Sequence, residues 1–463
     1  MNNYVIYNLI LLIIAFLCFN KSLSRITLLT MGGVNFLVAN LIYINQFAGE
    51  ATLRGAFGVH LVIDGLSRNF LLMNAVVWLA STMVGIKKKR NTVYYFFLAL
   101  FLPVCNLAFV SGDLFNIYVV LELITLITFL LSSTTSKTKQ FWAAMKYIIL
   151  CTAAMNLYLL GVGMHFLESG TFDLSKEISS LPAGLIIAGL LAKAGVFFYS
   201  MWLIDLHSNA EPEISALLSG ISIKGAVYAL MRLQPIISGS YRIVVIFGVV
   251  SAITGVFFAM NEKNYKRILA QHTLSQVGYI LVSPSSGAIY ALAHGVFKSF
   301  LFLFSDELPS LDIEELLQKR LAVNKWLFLA LASLTISGMP LTIGAAAKDM
   351  VLSTLTWQKP LMYIACIGTV ASFAKFLFLP SARYEKIKNL PSYLLLSFYC
   401  LTPFVNHDRK FLSPILLILT GILFYFIVRR FLRPLPRTLE NINNSAFLYI
   451  ILVLICVVVS VNA

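Results

Sequence analysis

Apolar runs follow one another along almost the whole chain, at residues 4–19, 27–46, 65–86, 93–110, 114–133, 143–166, 183–204, 213–235, 241–260, 267–283, 287–305, 326–357, 361–380, 391–405, 412–430 and 446–462. A helix rises 1.5 Å per residue, so a run of about 20 residues covers the roughly 30 Å of hydrocarbon in a bilayer. The pattern predicts an all-α, polytopic membrane protein of about 14–16 transmembrane helices. The first run could be a cleavable signal. Met1-Asn2-Asn3 carries no basic side chain and no small-residue cleavage pattern follows, so it is read as a retained first span.

Composition supports the bilayer as the main solvent: 59% of the residues are hydrophobic and 12% charged, against roughly a quarter charged in a soluble domain. The net charge of +15 could suggest nucleic acid, but its placement argues for membrane orientation instead. Alternate loops hold Lys21 and Arg25, Lys87 to Arg90, Lys137 and Lys139, Lys263, Lys266 and Arg267, Lys319, Arg320 and Lys325, Arg383, Lys386 and Lys388, then Arg429, Arg430, Arg433 and Arg437. The opposite loops carry chiefly Arg54, Lys176, Arg242, Lys359, Arg409 and Lys410. An even number of spans with both termini outside satisfies this asymmetry. The short run at 391–405 is kept because dropping it would put the arginine-rich loop near residue 430 on the wrong face. Cys18, Cys105, Cys151, Cys366, Cys400 and Cys456 stand singly inside apolar runs and are read as small buried hydrophobes.

Charges at membrane depth are costly, which makes each one a functional candidate. Glu122 is central in the stretch 115–130 (FNIYVVLELITLITFL). Lys193, in 185–198 (LIIAGLLAKAGVFF), has no carboxylate one helical turn away and must find a partner on another helix or lose charge by desolvation. Lys224, in 215–231 (SALLSGISIKGAVYALM), repeats the pattern among small residues that permit close helix packing. His294 and Lys298 are one turn apart on one face, and an imidazole is a natural relay between more basic groups. Lys348 follows Ser337-Gly338-Met339-Pro340 and Gly344, a backbone break of the kind tolerated only beside protein or water. Asp349 points about 100° away from Lys348 and would serve a different neighbour. Lys375 lies close to its helix end, where snorkelling and function are both open. Asp64, at the start of a span, reads as a helix N-cap.

The block from 93 to 235 and the helices from about 241 to 380 can be superposed in order: Lys193 against Lys348 in the fourth helix, Lys224 against Lys375 in the fifth, and Pro182 and Pro340 upstream of the first two lysines. An odd number of helices per unit inverts the second copy in the bilayer. The chain therefore divides into N-terminal helices at 1–92, two inverted five-helix repeats at 93–235 and 236–380, each a half-channel, and C-terminal helices at 381–463.

The stretch 193–232 (KAGVFFYSMWLIDLHSNAEPEISALLSGISIKGAVYALMR), with 264–278 (NYKRILAQHTLSQVG), the His294 to Lys298 pentapeptide and 337–348 (SGMPLTIGAAAK), resembles the antiporter-like subunits shared by respiratory complex I, membrane-bound hydrogenases and Mrp-type sodium/proton antiporters. The resemblance covers about residues 57–375 and leans towards the D-type Mrp subunit or its hydrogenase relative. It implies two inverted five-helix repeats, each with a discontinuous helix, in the cytoplasmic (inner) membrane of a prokaryote. By motif position, Glu122 and Lys193 would be the interacting pair of the first half-channel and Lys224 the link to the centre. His294 and Lys298 would form the central relay, and Lys348 the terminal group of the second half-channel. Lys375, Asp349, His207 and Asp205 are further pathway candidates. The implied partners are other membrane subunits of a multisubunit assembly, the bilayer, and H+, alone or exchanged for Na+. The chain departs from the family pattern at Phe198 and Ile204, where proline is usual, in the 306–320 loop, which lacks a glycine-rich pattern, and at Glu211-Pro212-Glu213, where neutral residues are common.

No nucleotide loop, metal-ligand cluster or nucleophile with a base at useful spacing is present, which argues against an enzyme. No redox cofactor motif appears, so no cofactor is expected in this chain and redox energy would have to come from partner subunits. The readings left standing are an antiporter subunit, a pumping subunit of a redox-driven complex, and an assembly subunit that moves nothing.

Overall fold

Helices begin where a short polar side chain can accept from the free N–H groups of a first turn. Asp64 accepts from Ser67 N at 3.0 Å, as expected of a cap, and Asn91, Asp113, Asn264, Asp312 and Thr342 cap their own helices in the same way. The computed structural model describes residues 1–52, 59–134, 137–237, 239–401, 412–433, 435 and 442–462. Arg54, Arg409, Lys410, Arg437 and the end of the 391–405 run beyond Leu401 lie outside the described residues.

The chain opens with α1 (Asn2–Ala15), α2 (Ser24–Ile44), α3 (Gly65–Gly85) and α4 (Thr92–Ala108). Next come α5 (Leu114–Ser133), α6 (Thr138–Ser169), α7 (Ser180–Lys193) and α8 (Met201–Asn209). The central stretch holds α9 (Pro212–Leu217), α10 (Ile223–Leu233), α11 (Tyr241–Asn261), α12 (Tyr265–Leu281) and α13 (Gly287–Phe304). After these follow α14 (Ile313–Gln318), α15 (Val323–Ser337), α16 (Ile343–Thr354), α17 (Lys359–Leu377), α18 (Leu390–Leu401), α19 (Leu412–Val428) and α20 (Ile442–Val461). Over its described residues, each apolar run read from the sequence falls mainly on one of these helices or on two in succession. The 183–204 run is divided between α7 and α8, with Gly195 at φ 68° and Phe198 at φ 80° between them. The 326–357 run is divided between α15 and α16, with Gly338 at φ 91° and Leu341 at φ 69°. The antiparallel hairpin of β1 (Gly49–Thr52) and β2 (His60–Ile63), with Glu50 opposite Val62, has no counterpart in the sequence reading.

Among the described residues, eight helices are long and apolar enough to cross a membrane, and six shorter apolar helices accompany them. The protein is an integral membrane protein. Burial orders the helices: over its most apolar 18 residues the Pro212–Ile236 stretch is wholly buried and Gly287–Phe304 94% buried, whereas the same length of Asn2–Phe19 is 28% and of Ser24–Ile44 33% buried. The helices bearing Lys224, His294 and Lys298 therefore form the centre, and α1 and α2 lie at the periphery with apolar side chains turned outward.

The loops sort to two ends. At one, Lys87 Nζ donates to Lys388 O at 2.6 Å, Lys88 pairs with Glu213 at 2.8 Å, Lys266 Nζ donates to Ala210 O at 2.6 Å and Lys325 pairs with Glu385 at 2.8 Å. The basic loops at 87–90, 263–267, 319–325 and 383–388, placed on one side by charge alone, thus meet. At the other end, Gly112 N donates to His60 O at 2.8 Å, Ile178 N to Ile236 O at 2.9 Å, and Arg232 pairs with Asp64.

Candidate functional site

Lys193 is the last residue of α7 and 3% exposed. Its ammonium hydrogen-bonds the Thr125 hydroxyl of α5, one turn on from Glu122 on the same helix face. Glu122 Oε2 accepts from Thr152 Oγ1 of α6 at 3.4 Å, while Oε1 is buried without a partner among the described residues. A cavity of about 370 Å³ opens beside them, lined by Tyr118, Glu122, Thr125, Ile148 and Thr152 among others. Thr125 and not the carboxylate therefore touches the ammonium, with Glu122 within electrostatic range. Beyond α7, Phe197 N donates to Ser251 Oγ at 3.0 Å, and Asp205 of α8 pairs with Lys146 of α6 at 2.7 Å. Proline, with φ fixed near −65°, could not occupy the Phe198 conformation, so this departure from the family pattern carries its own backbone geometry.

Lys224 follows a widened, π-type turn at residues 218–222 that joins α9 to α10. Such turns free backbone carbonyls and occur at functional sites. The fully buried ammonium donates to Ser219 O within that turn and meets His294 Nδ1 of α13. His294 Nε2 is buried without a partner among the described residues. Lys298, one turn along α13, donates to Leu269 O of α12 and lies 5.0 Å from the Phe302 ring centre, against which His207 is stacked at 4.4 Å. Both ring nitrogens of His207 are buried and without partners among the described residues.

Lys348 of α16 donates to Ile336 O at 2.7 Å, a carbonyl of the last turn of α15, and lies 5.7 Å from the Tyr279 ring centre. Asp349 beside it is half-buried. Lys375 of α17 donates to Ala259 O, Met260 O and Glu262 O, where α11 ends. The structure thus brings Lys224 and His294 into contact with Lys298 one turn along α13, holds Glu122 and Lys193 together through Thr125, and brings Lys348 to the α15–α16 break. The sequence reading missed Thr125, visible as a lone hydroxyl three residues after Glu122, and His272, visible in the polar stretch QHTLSQ at 271–276. It also missed that these lysines are held by hydroxyls and carbonyls rather than by carboxylates.

At the basic end, Glu211 and Glu213 meet Lys88 at 3.0 and 2.8 Å and Arg90 at 3.4 Å each. The unusual carboxylates of the Glu211-Pro212-Glu213 turn thereby clamp the α8–α9 corner to the α3–α4 loop. Burial works against the Lys88 charge, but Glu213 and Glu211 outweigh it and hold the ammonium above its ordinary value.

Residues 111–374 match the profile of the NADH:quinone oxidoreductase/Mrp antiporter transmembrane family. The D-type subunit of the Na(+)/H(+) antiporter of Alkalihalophilus pseudofirmus is 26% identical over 326 residues, 63% of this chain and 66% of that protein, just under two thirds of its length. Its counterpart of the same name from Bacillus subtilis is 26% identical over 393 residues, 75% of this chain and 80% of its own. A chain in the structure of the Mrp complex from a Dietzia species superposes with a TM-score of 0.79 at 19% identity, over 96% of this chain and 58% of that one. With more than half of its residues matched, the chain belongs to the NADH:quinone oxidoreductase/Mrp antiporter transmembrane family.

Proposed function

We propose that this chain is an ion-translocating subunit of a multisubunit membrane complex, a D-type subunit of an Mrp-like cation/proton antiporter rather than a catalytic enzyme. It moves protons, in exchange for Na+, between the lysines, Glu122, His294 and internal water, beside other membrane subunits and with no cofactor of its own. One observation carries the reading: Lys193, Lys224, Lys298 and Lys348 are all buried, and the partners found for them are hydroxyls, carbonyls, an imidazole and ring faces. Desolvation brings the charged and neutral forms of an amine closer in free energy, and a neutral acceptor does not lock the proton on as a carboxylate would. At about 4 Å and an effective dielectric near 20, a unit pair interacts by roughly 4 kcal/mol. A change of charge on one group can therefore redirect a proton at the next.

The two halves at 93–235 and 236–380 are read as inverted repeats, each with one membrane helix broken in the middle. The matching backbone of the breaks supports this, since each has a left-handed glycine followed three residues later by a left-handed Phe198 or Leu341. The gathering of basic loops at one end supports a topology with that end in the cytoplasm and both termini outside, in a prokaryotic inner membrane. The matched family also takes in NADH:quinone oxidoreductase chains, and the same file would serve a redox-driven complex whose driving reaction lies on partner subunits.

The test is Na+-dependent dissipation of a pH gradient in everted membrane vesicles carrying the whole complex. Lys193→Ala and Glu122→Gln are each expected to lower the rate about a hundredfold, the scale of a positioned proton-transfer group. Full activity in both, with the complex assembled, ends this mechanism.

A further inference from the structure

Every residue of α12, from Tyr265 to Leu281, is buried, although the helix carries Gln271, His272, Thr273, Ser275, Gln276 and Tyr279. It is enclosed by α8, α10, α11, α13 and α17 and contributes none of its face to lipid. Residues 269, 272, 276 and 279 are spaced by three and four and share one side of the helix. At one end of this stripe Leu269 O accepts from Lys298 Nζ, and at the other the Tyr279 ring lies under Lys348 Nζ at 5.7 Å. The stripe spans about 15 Å at 1.5 Å per residue, and so runs from the central lysine to the terminal one.

Between those ends the stripe holds buried side-chain nitrogens left unpaired among the described residues. Among the described residues both ring nitrogens of His272, which is 0% exposed, lack a protein partner, as does Gln276 Nε2, while Gln276 Oε1 accepts from Tyr290 OH. The imidazole ring rests against the Phe373 ring at 4.6 Å. The charges acting on it come from three different helices: Lys298 of α13, Lys375 of α17 and Lys348 of α16. Buried polar atoms without protein partners are the places where internal water is retained.

We propose that His272 is the proton relay between Lys298 and Lys348, working through water held along the α12 stripe by its own ring and by Gln276. This rests on the transport reading above. The ring takes a proton on the nitrogen facing the Lys298 end and gives up the one on its other nitrogen towards Lys348. One proton crosses, no charge is left behind, and the neutral ring ends in its other tautomer until it turns back.

The experiment compares His272→Leu, His272→Gln, Lys298→Ala and Lys348→Ala in the whole complex, in the same vesicle assay across a pH series. His272→Leu keeps the bulk beside Phe373 and removes both nitrogens. His272→Gln keeps polarity and water contacts but cannot carry a proton in two steps. Both are expected to lose about a hundredfold in rate at every pH, with normal assembly, as the two lysine variants do. If the lysine variants are inactive while His272→Gln runs at the wild-type rate, the relay is refuted and the transport reading stands. If all four run at the wild-type rate, the transport reading itself falls and takes the relay with it. Should His272→Leu fail to assemble, His272→Gln alone decides.

Discussion

Among the buried lysines Lys375 has a different employment from the rest, and its surroundings explain why. Helix α11 runs out at Asn261, and the last carbonyls of a helix have no intrahelical donor. Lys375 donates to Ala259 O at 3.3 Å, Met260 O at 2.6 Å and Glu262 O at 3.0 Å, which places a cation at the negative end of the helix. Three carbonyls fix its proton donors, whereas Lys193 has the Thr125 hydroxyl and Lys348 one carbonyl and a ring. Lys375→Met is therefore expected to destabilise the assembled complex by about 1.5–3 kcal/mol, the scale of hydrogen bonds to a charged group, and to leave the pH profile of transport unchanged. Thermal unfolding followed by tryptophan fluorescence, beside the vesicle assay, checks both halves. An unchanged unfolding midpoint with abolished transport would move Lys375 into the pathway.

At the level of elements, the seam between α11 and α12 decides how closely the polar helix is held. A Cβ on Gly278 would lie 2.3 Å from Gly248 O and 2.8 Å from Ala252 N, and one on Gly255 would lie 2.6 Å from Ser275 N, so the two backbones touch. Gly278→Leu is expected to cost at least the roughly 1–3 kcal/mol of an overpacked core and to deplete the intact complex recovered in detergent. Intact recovery with an unshifted unfolding midpoint would show the seam to be slack. Much of this architecture was legible beforehand, because a membrane helix must be apolar over its length and the apolar runs form helix over most of their described residues. The 326–357 run announced its break through its length and the Ser337-Gly338-Met339-Pro340 sequence. The break after Lys193 did not, because the positive φ of Phe198 has no signature in a phenylalanine. Hairpin β1–β2 was invisible because its pairing joins two short segments with little alternation. For the site, ionisable residues inside apolar runs stood out at once. Their partners did not, since Ser219 O, Leu269 O and Ile336 O are backbone atoms that any residue would supply. The placement of α12 was also hidden: its polarity marks a helix shielded by protein on all sides, which only the packing of the others reveals.

On the scale of the whole molecule, an oil-facing middle is held between two polar ends, and those ends set its response to pH. Burial raises the Glu211 carboxyl, but Lys88 and Arg90 outweigh it and hold it below its ordinary value. Glu262 is likewise raised by burial and brought lower overall by Arg267, and Asp64, at the far end, by Arg232. A carboxylate lowered in the folded state contributes stability above its unfolded value, and loses it as pH falls through the folded one. Lys88, held above its ordinary value by Glu213 and Glu211 against burial, contributes below the unfolded lysine value and loses it as pH rises through the folded one. The unfolding midpoint of the complex is thus expected to be flat from about pH 5 to 8 and to fall on the acid side, where both ends lose their clamps. Glu213, 1% exposed, makes the basic-end clamp sensitive to its partners. Lys88→Met leaves that carboxylate with Arg90 at 3.4 Å alone, and stripping one partner from a buried pair costs about 3–5 kcal/mol. The loss should sit at the lower end of that range because Arg90 remains. Adding Glu213→Gln to Lys88→Met removes the stranded charge, so the double variant should recover part of the lost midpoint at pH 7 and show a shallower acid limb than wild type. A double variant less stable than Lys88→Met, with the acid limb unaltered, would mean that the α8–α9 corner is held by its apolar contacts, the ion pairs being incidental to it.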